Sequence, residues 1–338
     1  GAHVFFWDDS ASVRDKLAAS GIACTAPRDW PWAEMAVVVP GFSNRTGFLK
    51  TMKILSVAAE HKVPVRSDID LFAEAIAAKP AHARPKIVGI TGTHGKSVTG
   101  ALVTHILTAS GRDAWLGGTA GDAVLNLPEG GAETTYVLEI LPQTLAFTRQ
   151  LHCDAAMLLN LTSLDLRFFK SPDQAIGAAT RIFRNTGPDD AVIIGVDDFV
   201  SQKICTAITA NTSGRITGSD TIIAVSGEAT LGLGVFSLDG RVFDARSDKT
   251  VTLGNVARAP AILGNHFNQC CAAAFAACLH LGLSSALISR AIHSWPGLPG
   301  RMYCLGDHAG VVYFDDGASM WLPSTAAALN AGEDIIWI

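Results

Sequence analysis

The 338-residue sequence lacks several features that mark particular classes of protein. No apolar run approaches the roughly 18–20 residues that a membrane-spanning helix needs, and no basic segment followed by an apolar one opens the chain as a secretory leader would. Lysines and arginines form no cluster, and the net charge is −5 with a pI near 6.0, which argues against a nucleic-acid-binding surface. These absences predict a cytoplasmic protein with neither a membrane span nor a nucleic-acid partner.

Cysteine is present, but in no pattern that metal sites or disulfides use. The 7 cysteines are odd in number and include no CxxC pair. They lie in apolar stretches, which is typical of reduced, buried thiols in an intracellular protein. Apolar residues make up 49% of the chain and charged residues 17%, so we expect folded globular domains rather than disorder.

Two proline-containing breaks, at residues 79–85 and 295–300, divide the sequence. They predict three domains, which cover residues 1–82, 83–297 and 298–338. Short apolar strands bounded by helices indicate an α/β fold, with a Rossmann-like first domain and a parallel central sheet. The chain opens on an apolar strand over residues 3–7 and stops on another over residues 334–338. We therefore expect that the first βα unit is missing and that the third α/β domain is truncated.

The stretch GITGTHGKSVTG, residues 89–100, follows an apolar strand and precedes a helical pattern. Glycine loops at a helix N-terminus bind phosphate through backbone N–H groups, so Gly92 and Gly95 would let the backbone approach a polyphosphate. Lys96 would reach the β- and γ-phosphates, and Ser97 would bind Mg²⁺. The spacing differs from the strict GxxxxGK[ST] motif, and a structural turn that carries an exposed lysine is the alternative. The flanking strand and helix favour phosphate binding.

Polar residues also end two neighbouring predicted strands. Glu139 ends one strand, and Asn160 and Asp165 follow the next. Ligands of open α/β sheets bind beyond the carboxyl ends of the strands, so these residues could converge on the glycine loop. Taken alone, a glutamate at the end of a strand is more often a solvated residue. Beside the loop, Glu139 and Ser97 predict a Mg²⁺ site, because Mg²⁺ prefers oxygen ligands.

The motifs GITGTHGKSVT, YVLEI, LLNLT, RIFRN, LGNH, GLPGRM and DDGAS occur in the order seen in Mur ligases. The chain resembles this family over nearly its whole length, and most nearly the branch that adds D-glutamate to UDP-N-acetylmuramoyl-L-alanine in peptidoglycan synthesis. The resemblance implies three domains, which bind the UDP-sugar, ATP and the amino acid. It implies ATP and Mg²⁺ as cofactors, an acyl-phosphate intermediate, a UDP-sugar-peptide and D-glutamate as substrates, and a monomer.

The resemblance also assigns roles to individual residues. It implies Lys96 and Glu139 as catalytic residues, and Ser97 and Glu139 as metal ligands. Asp165 stands where the family has a metal-binding histidine, and we expect it to serve as a further catalytic residue and metal ligand, because Mg²⁺ prefers oxygen ligands. The residues that it implies for ATP binding are Gly92, Thr93, His94, Gly95, Lys96, Ser97, Val98, Asn268, Arg301 and Asp316. The residues that it implies for substrate binding are Asp8, Asp9, Ser10, Gly41, Thr119 and Asn160.

Several positions depart from the family pattern. The family has an aspartate and a metal-binding histidine where this chain has Leu164 and Asp165. It has a carbamylated lysine at the place of Ala179, an asparagine at the place of Phe267 and a second lysine at the place of Ala318. Three hypotheses therefore stand: a ligase of the D-glutamate-adding branch, a catalytically impaired relative that binds nucleotide or UDP-sugar, and a sister ligase of muropeptide-recycling or folylpolyglutamate type. We favour the first, and we expect the truncated chain to ligate inefficiently by itself.

Overall fold

A computed structural model describes residues 4–32, 36–39, 54–119, 121–162, 168–211, 221–319 and 322–331. Three residues named above, Gly41, Leu164 and Asp165, lie outside the described residues, as does the strand predicted over residues 334–338. The predictions made for them stay predictions.

The N-terminal region consists of short elements. They are α1 (Ala11–Ala19), β1 (Val37–Val39), a helical segment over residues 54–60, β2 (Val65–Ser67) and α2 (Asp68–Ala77). β1 and β2 pair in parallel. The strand predicted over residues 3–7 is wrong for its described part, because only Phe6 forms a bridge, to Cys24. Phe6 stays 41% exposed, so the apolar stretch there lacks the buried partner that a strand needs.

A nine-stranded sheet forms the centre of the molecule. Its strands are β3 (Lys86–Thr91), β4 (Asp113–Gly118), β5 (Thr134–Glu139), β6 (Ala155–Leu158), β7 (Ala191–Gly195), β8 (Ile222–Ser226), β9 (Val235–Leu238), β10 (Arg241–Asp244) and β11 (Val251–Asn255). Their order across the sheet is β11-β10-β9-β8-β7-β6-β3-β5-β4. In this order across the sheet, every neighbouring pair of strands between β9 and β4, including β3, is parallel. β10 pairs antiparallel with β9 and with β11, so the sheet has an antiparallel edge. The predicted α/β class with a parallel sheet is confirmed.

Helices cover both faces of this sheet. They are α3 (Lys96–Ala109), α4 (Pro142–Leu145), α5 (Pro172–Ala179), α6 (Phe199–Asn211), α7 (Asn268–His280) and α8 (Ser285–His293). The sequence of α7, NQCCAAAFAACLH, has almost no charge and many small residues, so this helix can be buried all round. It packs against α3 and the strands β7 to β10, and residues 270–278 are all buried.

Successive side chains along β3 point to opposite faces of the sheet, so they contribute to two different hydrophobic clusters. Val88 and Ile90 contribute to the cluster under α3 and α7, whereas Ile87 contributes to the cluster on the opposite face. α2 closes that second face, where the rings of Phe72 and Tyr136 meet edge-on with centroids 5.1 Å apart. This helix was predicted in the first domain, so the first and central regions share a core here; the domain boundaries stay a prediction.

A hairpin follows the second proline-containing break. β12 (Tyr303–His308) and β13 (Val311–Asp315) pair antiparallel, and α9 (Leu322–Leu329) comes after them. None of the helices in the described part of the chain is long and apolar enough to cross a membrane.

Candidate phosphate-binding site

The glycine loop lies where the course of the chain across the sheet reverses. From β3 the chain passes through α3 to β4 and β5 on one side, and then to β6 on the other side. Loops that leave in opposite directions open a crevice at the carboxyl ends of the strands, and ligands bind in this crevice in open α/β sheets. The loop over residues 92–95 and the tips of β5 and β6 line it.

Two glycines of the loop have conformations that other residues rarely adopt. Gly92 has a φ of 138°, and a Cβ atom on it would lie 2.9 Å from the carbonyl oxygen of Asn160. Gly95 has a φ of 78° and is the N-cap of α3, where a Cβ atom would lie 3.1 Å from Cys270 Sγ. The loop therefore needs glycine at both places, because of positive φ and close neighbours.

The Asn160 side chain holds the loop from the tip of β6. Its Oδ1 accepts hydrogen bonds from the backbone N–H groups of Thr93, at 3.1 Å, and His94, at 2.8 Å. Its Nδ2 donates to the carbonyl of His94 at 3.2 Å. In the structure the Asn160 amide supports the glycine loop, and its predicted role in substrate binding stays a prediction.

The N-terminus of α3 supplies the positive part of the site. The first N–H groups of a helix have no intrahelical acceptor and carry the positive end of the helix dipole, so they attract anions. Lys96, the first residue of α3, is 9% exposed, and its ammonium donates to the carbonyl of Thr93 at 3.0 Å. Ser97 follows it and is half-buried. Val98 is buried in the core, so it can offer a ligand only its backbone.

Glu139 ends β5 inside this crevice. The residue is 4% exposed, and its Oε2 has no hydrogen-bond partner within the described structure. Its carbonyl accepts from the backbone N–H of Thr119 at 3.0 Å, which joins the tips of β4 and β5. A buried carboxylate oxygen without a partner is a suitable ligand for a hard cation. The described residues include no group of three or more histidine, cysteine or acidic side chains that could hold a metal ion by itself. Mg²⁺, however, usually needs only one or two carboxylates beside phosphate and water.

Sequence reasoning selected Asn268, but the structure places its neighbour Gln269 beside the loop. The Asn268 amide is buried and bonds to Ser237 Oγ at 3.2 Å and to the carbonyl of Gly227 at 3.3 Å. Gln269 accepts from Asn160 Nδ2 at 3.1 Å and donates to Asp197 Oδ2 at 2.7 Å. No signal in the sequence identified Gln269 or Asp197, because both act through contacts between distant strand tips.

The third region contributes charge to the loop. Burial, together with the Lys96 ammonium and the Arg301 guanidinium, lowers the pKa of His94. Arg301 donates to Ser319 Oγ at 3.5 Å. Asp316 accepts from the backbone N–H of Met302 at 3.0 Å, and its Oδ2 is buried without a hydrogen-bond partner in the described structure.

The predicted substrate ligands near the N-terminus make local contacts. Asp8 accepts from the backbone N–H of Ser10 at 2.7 Å, and Asp9 accepts from the indole of Trp7 at 3.1 Å. Ser10 Oγ lies 2.9 Å from Ser12 Oγ. These bonds shape the turn before α1, and the roles of these residues in binding a substrate stay predictions.

The replaced family positions have apolar or close-packed surroundings. Ala179 is fully buried in a cluster with Leu158, Leu161 and Ile204, and its methyl side chain carries no charge. Phe267 is buried as well. A Cβ atom on residue 300, a glycine, would lie 2.9 Å from the Ala318 methyl group, so these two backbones approach closely.

Comparisons with known proteins find relatives in the family that the sequence motifs resemble. Residues 90–224 match the family described as Mur ligase middle domain. The chain is 34% identical over 338 residues to the UDP-N-acetylmuramoylalanine--D-glutamate ligase of Phenylobacterium zucineum, with 100% of this chain and 71% of the relative covered. It is 35% identical over 338 residues to the enzyme of that name from Caulobacter vibrioides, with 100% and 70% covered.

Solved structures show a similar fold at lower identity. The MurF ligase of Thermotoga maritima in complex with ADP has a TM-score of 0.56 and 16% identity, over 89% of this chain and 73% of that one. The UDP-N-acetylmuramate-alanine ligase of Thermotoga maritima has a TM-score of 0.55 and 16% identity, over 94% and 68%. At this identity the likeness concerns the fold alone.

Proposed function

The chain belongs to the Mur ligase family, and we propose that it uses ATP to join D-glutamate to UDP-N-acetylmuramoyl-L-alanine in peptidoglycan precursor synthesis. The observation that carries this proposal is the loop at the start of α3. Two glycines with positive φ and a nearly buried lysine form an anion site there. Glu139 adds a buried oxygen without a partner at the adjacent strand tip.

The residues of the site would have separate roles in phosphoryl transfer. The N–H groups at the start of α3 bind the polyphosphate of ATP, and Lys96 neutralises charge on the transferred phosphoryl group. The substrate carboxylate attacks the γ-phosphorus, which gives an acyl phosphate and ADP. The D-glutamate amine then attacks the acyl carbon, and phosphate leaves with formation of the amide. Catalysis consists mainly of positioning and charge neutralisation.

Ser97 and Glu139, with Asp165 as a further candidate, would hold a Mg²⁺ ion. The ion would supply positive charge beside the phosphate oxygens. Glu139 fits this role because its Oε2 is buried and accepts no hydrogen bond from the described residues. His94, whose pKa is lowered by burial and by the charges of Lys96 and Arg301, adds no positive charge to the loop near neutral pH.

The outer regions would bind the rest of the substrates. We assign Asn268, Arg301 and Asp316 to the adenosine side of ATP. The candidates for the UDP-sugar substrate are Asp8, Asp9, Ser10, Gly41, Thr119 and Asn160. D-glutamate would enter from the third region, and we expect the protein to act as a monomer in the cytoplasm.

One observation favours a second candidate function, a relative that binds nucleotide without ligation. In the family a carbamylated lysine occupies the place of Ala179, which here lies among leucines and an isoleucine. If that group is indispensable for transfer, the loop would bind ATP and no amide would form. The two candidates differ in turnover and agree in nucleotide binding.

The deciding experiment measures phosphate release from ATP by the purified full-length protein with Mg²⁺, UDP-N-acetylmuramoyl-L-alanine and D-glutamate. The ligase requires release that depends on both acceptor and amino acid, with equal formation of the amide product. Lys96→Ala should abolish release and weaken ATPγS binding by about 1–3 kcal/mol, the scale of a charge-assisted contact. The exposed Lys249 provides the matched control, Lys249→Ala, which should leave both unchanged.

Each remaining outcome identifies an alternative. ATPγS binding that requires Lys96, without phosphate release, would favour the relative that does not ligate. Release that depends on another amino acid or another acceptor would indicate a sister ligase. Absence of both binding and release would refute the proposed function.

A further inference from the structure

We propose that Gln269 is a positioning residue of the phosphate loop, which acts by fixing the orientation of the Asn160 amide. This inference rests on the proposed function, because the loop is the site that it serves. Gln269 is the second residue of α7 and lies 109 positions along the chain from Asn160. The pair joins the start of α7 to the tip of β6.

The orientation of the Asn160 amide decides whether the loop is held. An amide has one accepting and one donating end. The accepting end, Oδ1, faces the N–H of His94 at 2.8 Å. If the amide turned over, its NH₂ group would face that N–H, and two donors would oppose each other. The loop therefore requires one orientation.

Gln269 selects that orientation, and Asp197 in turn selects the orientation of Gln269. Asn160 Nδ2 donates to Gln269 Oε1 at 3.1 Å, and Gln269 Nε2 donates to Asp197 Oδ2 at 2.7 Å. A carboxylate can only accept, so Asp197 forces Gln269 to present its NH₂ group on that side. Asp197 also accepts from the hydroxyl of Ser226 and from the N–H of Gly227 at 2.9 Å. Asp197, Gln269 and Asn160 thus form a relay of hydrogen bonds, and the single carboxylate of Asp197 sets the direction of every bond in this relay.

Two glycines make room for this relay. A Cβ atom on Gly195, at the end of β7, would lie 2.9 Å from Gln269 Nε2. A Cβ atom on Gly227, just after β8, would overlap the backbone nitrogen of Gln269. The tips of β7 and β8 therefore approach Gln269 more closely than strands with side chains at these positions could. The relay is a packed unit that joins three strand tips, the start of α7 and the loop.

The relay predicts a difference between two adjacent amides of the loop. The N–H of His94 bonds to Asn160 Oδ1, whereas the N–H of Thr93 also bonds to the backbone carbonyl of Asn160 at 3.0 Å. Loss of the relay should therefore release the His94 amide and leave the Thr93 amide protected. Thr93 is the internal reference for His94.

The test uses Gln269→Glu, which keeps the length of the side chain but places a second carboxylate beside Asp197. Repulsion between the two carboxylates should move residue 269 away from Asn160 Nδ2 and so weaken the bond that orients the Asn160 amide. In the protein without nucleotide, hydrogen exchange at the His94 amide should become about tenfold faster, the effect of one weakened hydrogen bond. Exchange at the Thr93 amide should stay slow. Affinity for ADP in the presence of Mg²⁺ should fall about tenfold as well.

The double variant Asp197→Asn with Gln269→Glu tests the direction of the relay. The asparagine can donate to the new carboxylate, so the double variant should bind ADP more tightly than Gln269→Glu alone. Gln174 lies on the surface, and its carbonyl accepts from the backbone of Lys170, a bond that glutamate can also accept. Gln174→Glu therefore controls for the added charge and should match the wild type.

Three results would overturn the inference. The first is that hydrogen exchange at the His94 amide and the affinity for ADP are both unchanged in Gln269→Glu. Another is a double variant no better than Gln269→Glu, which would mean that packing and not bond direction matters. If Gln269→Glu does not fold, Gln269→Met removes both bonds without adding charge, and unchanged exchange at His94 in that variant would be the third. Failure of the wild type to bind ADP would refute the proposed function, while the exchange measurement would still decide on the relay.

Discussion

Replacement of Glu139 by glutamine should separate nucleotide binding from Mg²⁺. Glu139 is 4% exposed, and its Oε2 accepts no hydrogen bond from the described residues. A buried polar atom without a partner costs about 1–3 kcal/mol, and more when it is charged. A Mg²⁺ ion bound there would recover that free energy, and the neutral amide of glutamine would recover little of it.

The expected magnitude follows from this free energy. Since about 1.4 kcal/mol corresponds to a tenfold change in affinity, the gain in ATPγS affinity that Mg²⁺ gives should fall by about tenfold to a hundredfold in Glu139→Gln. Affinity without Mg²⁺ should change little. The metal-free variant should be as stable as the wild type, or more stable by up to about 1 kcal/mol, because an amide is less costly to bury than a carboxylate.

Calorimetric titration with ATPγS, in buffer with Mg²⁺ and in buffer with a chelator, measures both affinities. Glu133 lies exposed just before β5, so Glu133→Gln makes the same change of charge at the surface and should keep the Mg²⁺ effect. A Glu139→Gln variant whose ratio of affinities with and without Mg²⁺ equals that of the wild type would refute the assignment. A large loss of stability in that variant would show that the carboxylate has a structural partner.

Three further predictions concern the loop and a distant ion pair. Gly92→Ala should lower the free energy of unfolding in denaturant titrations by about 1–3 kcal/mol and weaken nucleotide binding, because φ is 138° and the new Cβ would lie 2.9 Å from the Asn160 carbonyl. Burial and neighbouring charges lower the pKa of His94, so its NMR titration midpoint should lie below 6.5. Its contribution to stability should be complete above that pH and be lost as pH falls through the folded-state pKa. The hydrogen bond of His152 to Asp190, at 2.8 Å, raises the pKa of His152, so Asp190→Asn should lower its midpoint. In the wild type this pair should stabilise the fold below about pH 6.5, and that stability should be lost as pH rises through the folded-state pKa. The effect should be small, since the His152 side chain is 53% exposed.

Matched variants control these three predictions. Gly111 also has a positive φ but has no atom within 4 Å of a new Cβ, so Gly111→Ala should affect stability alone. A Gly92→Ala variant that binds nucleotide as well as Gly111→Ala would contradict the argument from close approach. Lys96→Ala should raise the midpoint of His94, and an unchanged midpoint would show that the lysine charge does not act there. The exposed Asp189 supplies Asp189→Asn, and the His152 prediction fails if this variant and Asp190→Asn shift the midpoint equally.

The sequence alone predicted the elements whose causes are local. A glycine with positive φ, a lysine at the first position of a helix and a buried strand before them are properties of about ten consecutive residues, so the loop at Gly92 and Gly95 was recognisable. The parallel sheet was predictable for a similar reason, because short apolar runs between helices leave few other arrangements.

The sequence misjudged elements that depend on partners elsewhere. The apolar stretch around Phe6 resembles a strand, but a strand needs a neighbour, and the part of this stretch that the structure describes forms a single bridge, from Phe6 to Cys24. α2 was predicted in the first domain, and only the packed structure shows its Phe72 against Tyr136 of the central sheet. Apolar patterning predicts that a face is buried but does not say against what it packs.

The site shows the same division between local and long-range causes. The sequence determined that a glycine loop lies between a strand and a helix and that Glu139 ends a strand. Only the tertiary structure decided that Gln269 and not Asn268 reaches the loop, since one residue along a helix turns the side chain by about 100°. The bond from Gln269 to Asn160 spans 109 positions, and it exists because the order of strands brings the start of α7 beside the tip of β6. That order is a property of the folded sheet, and no single segment of the chain contains it.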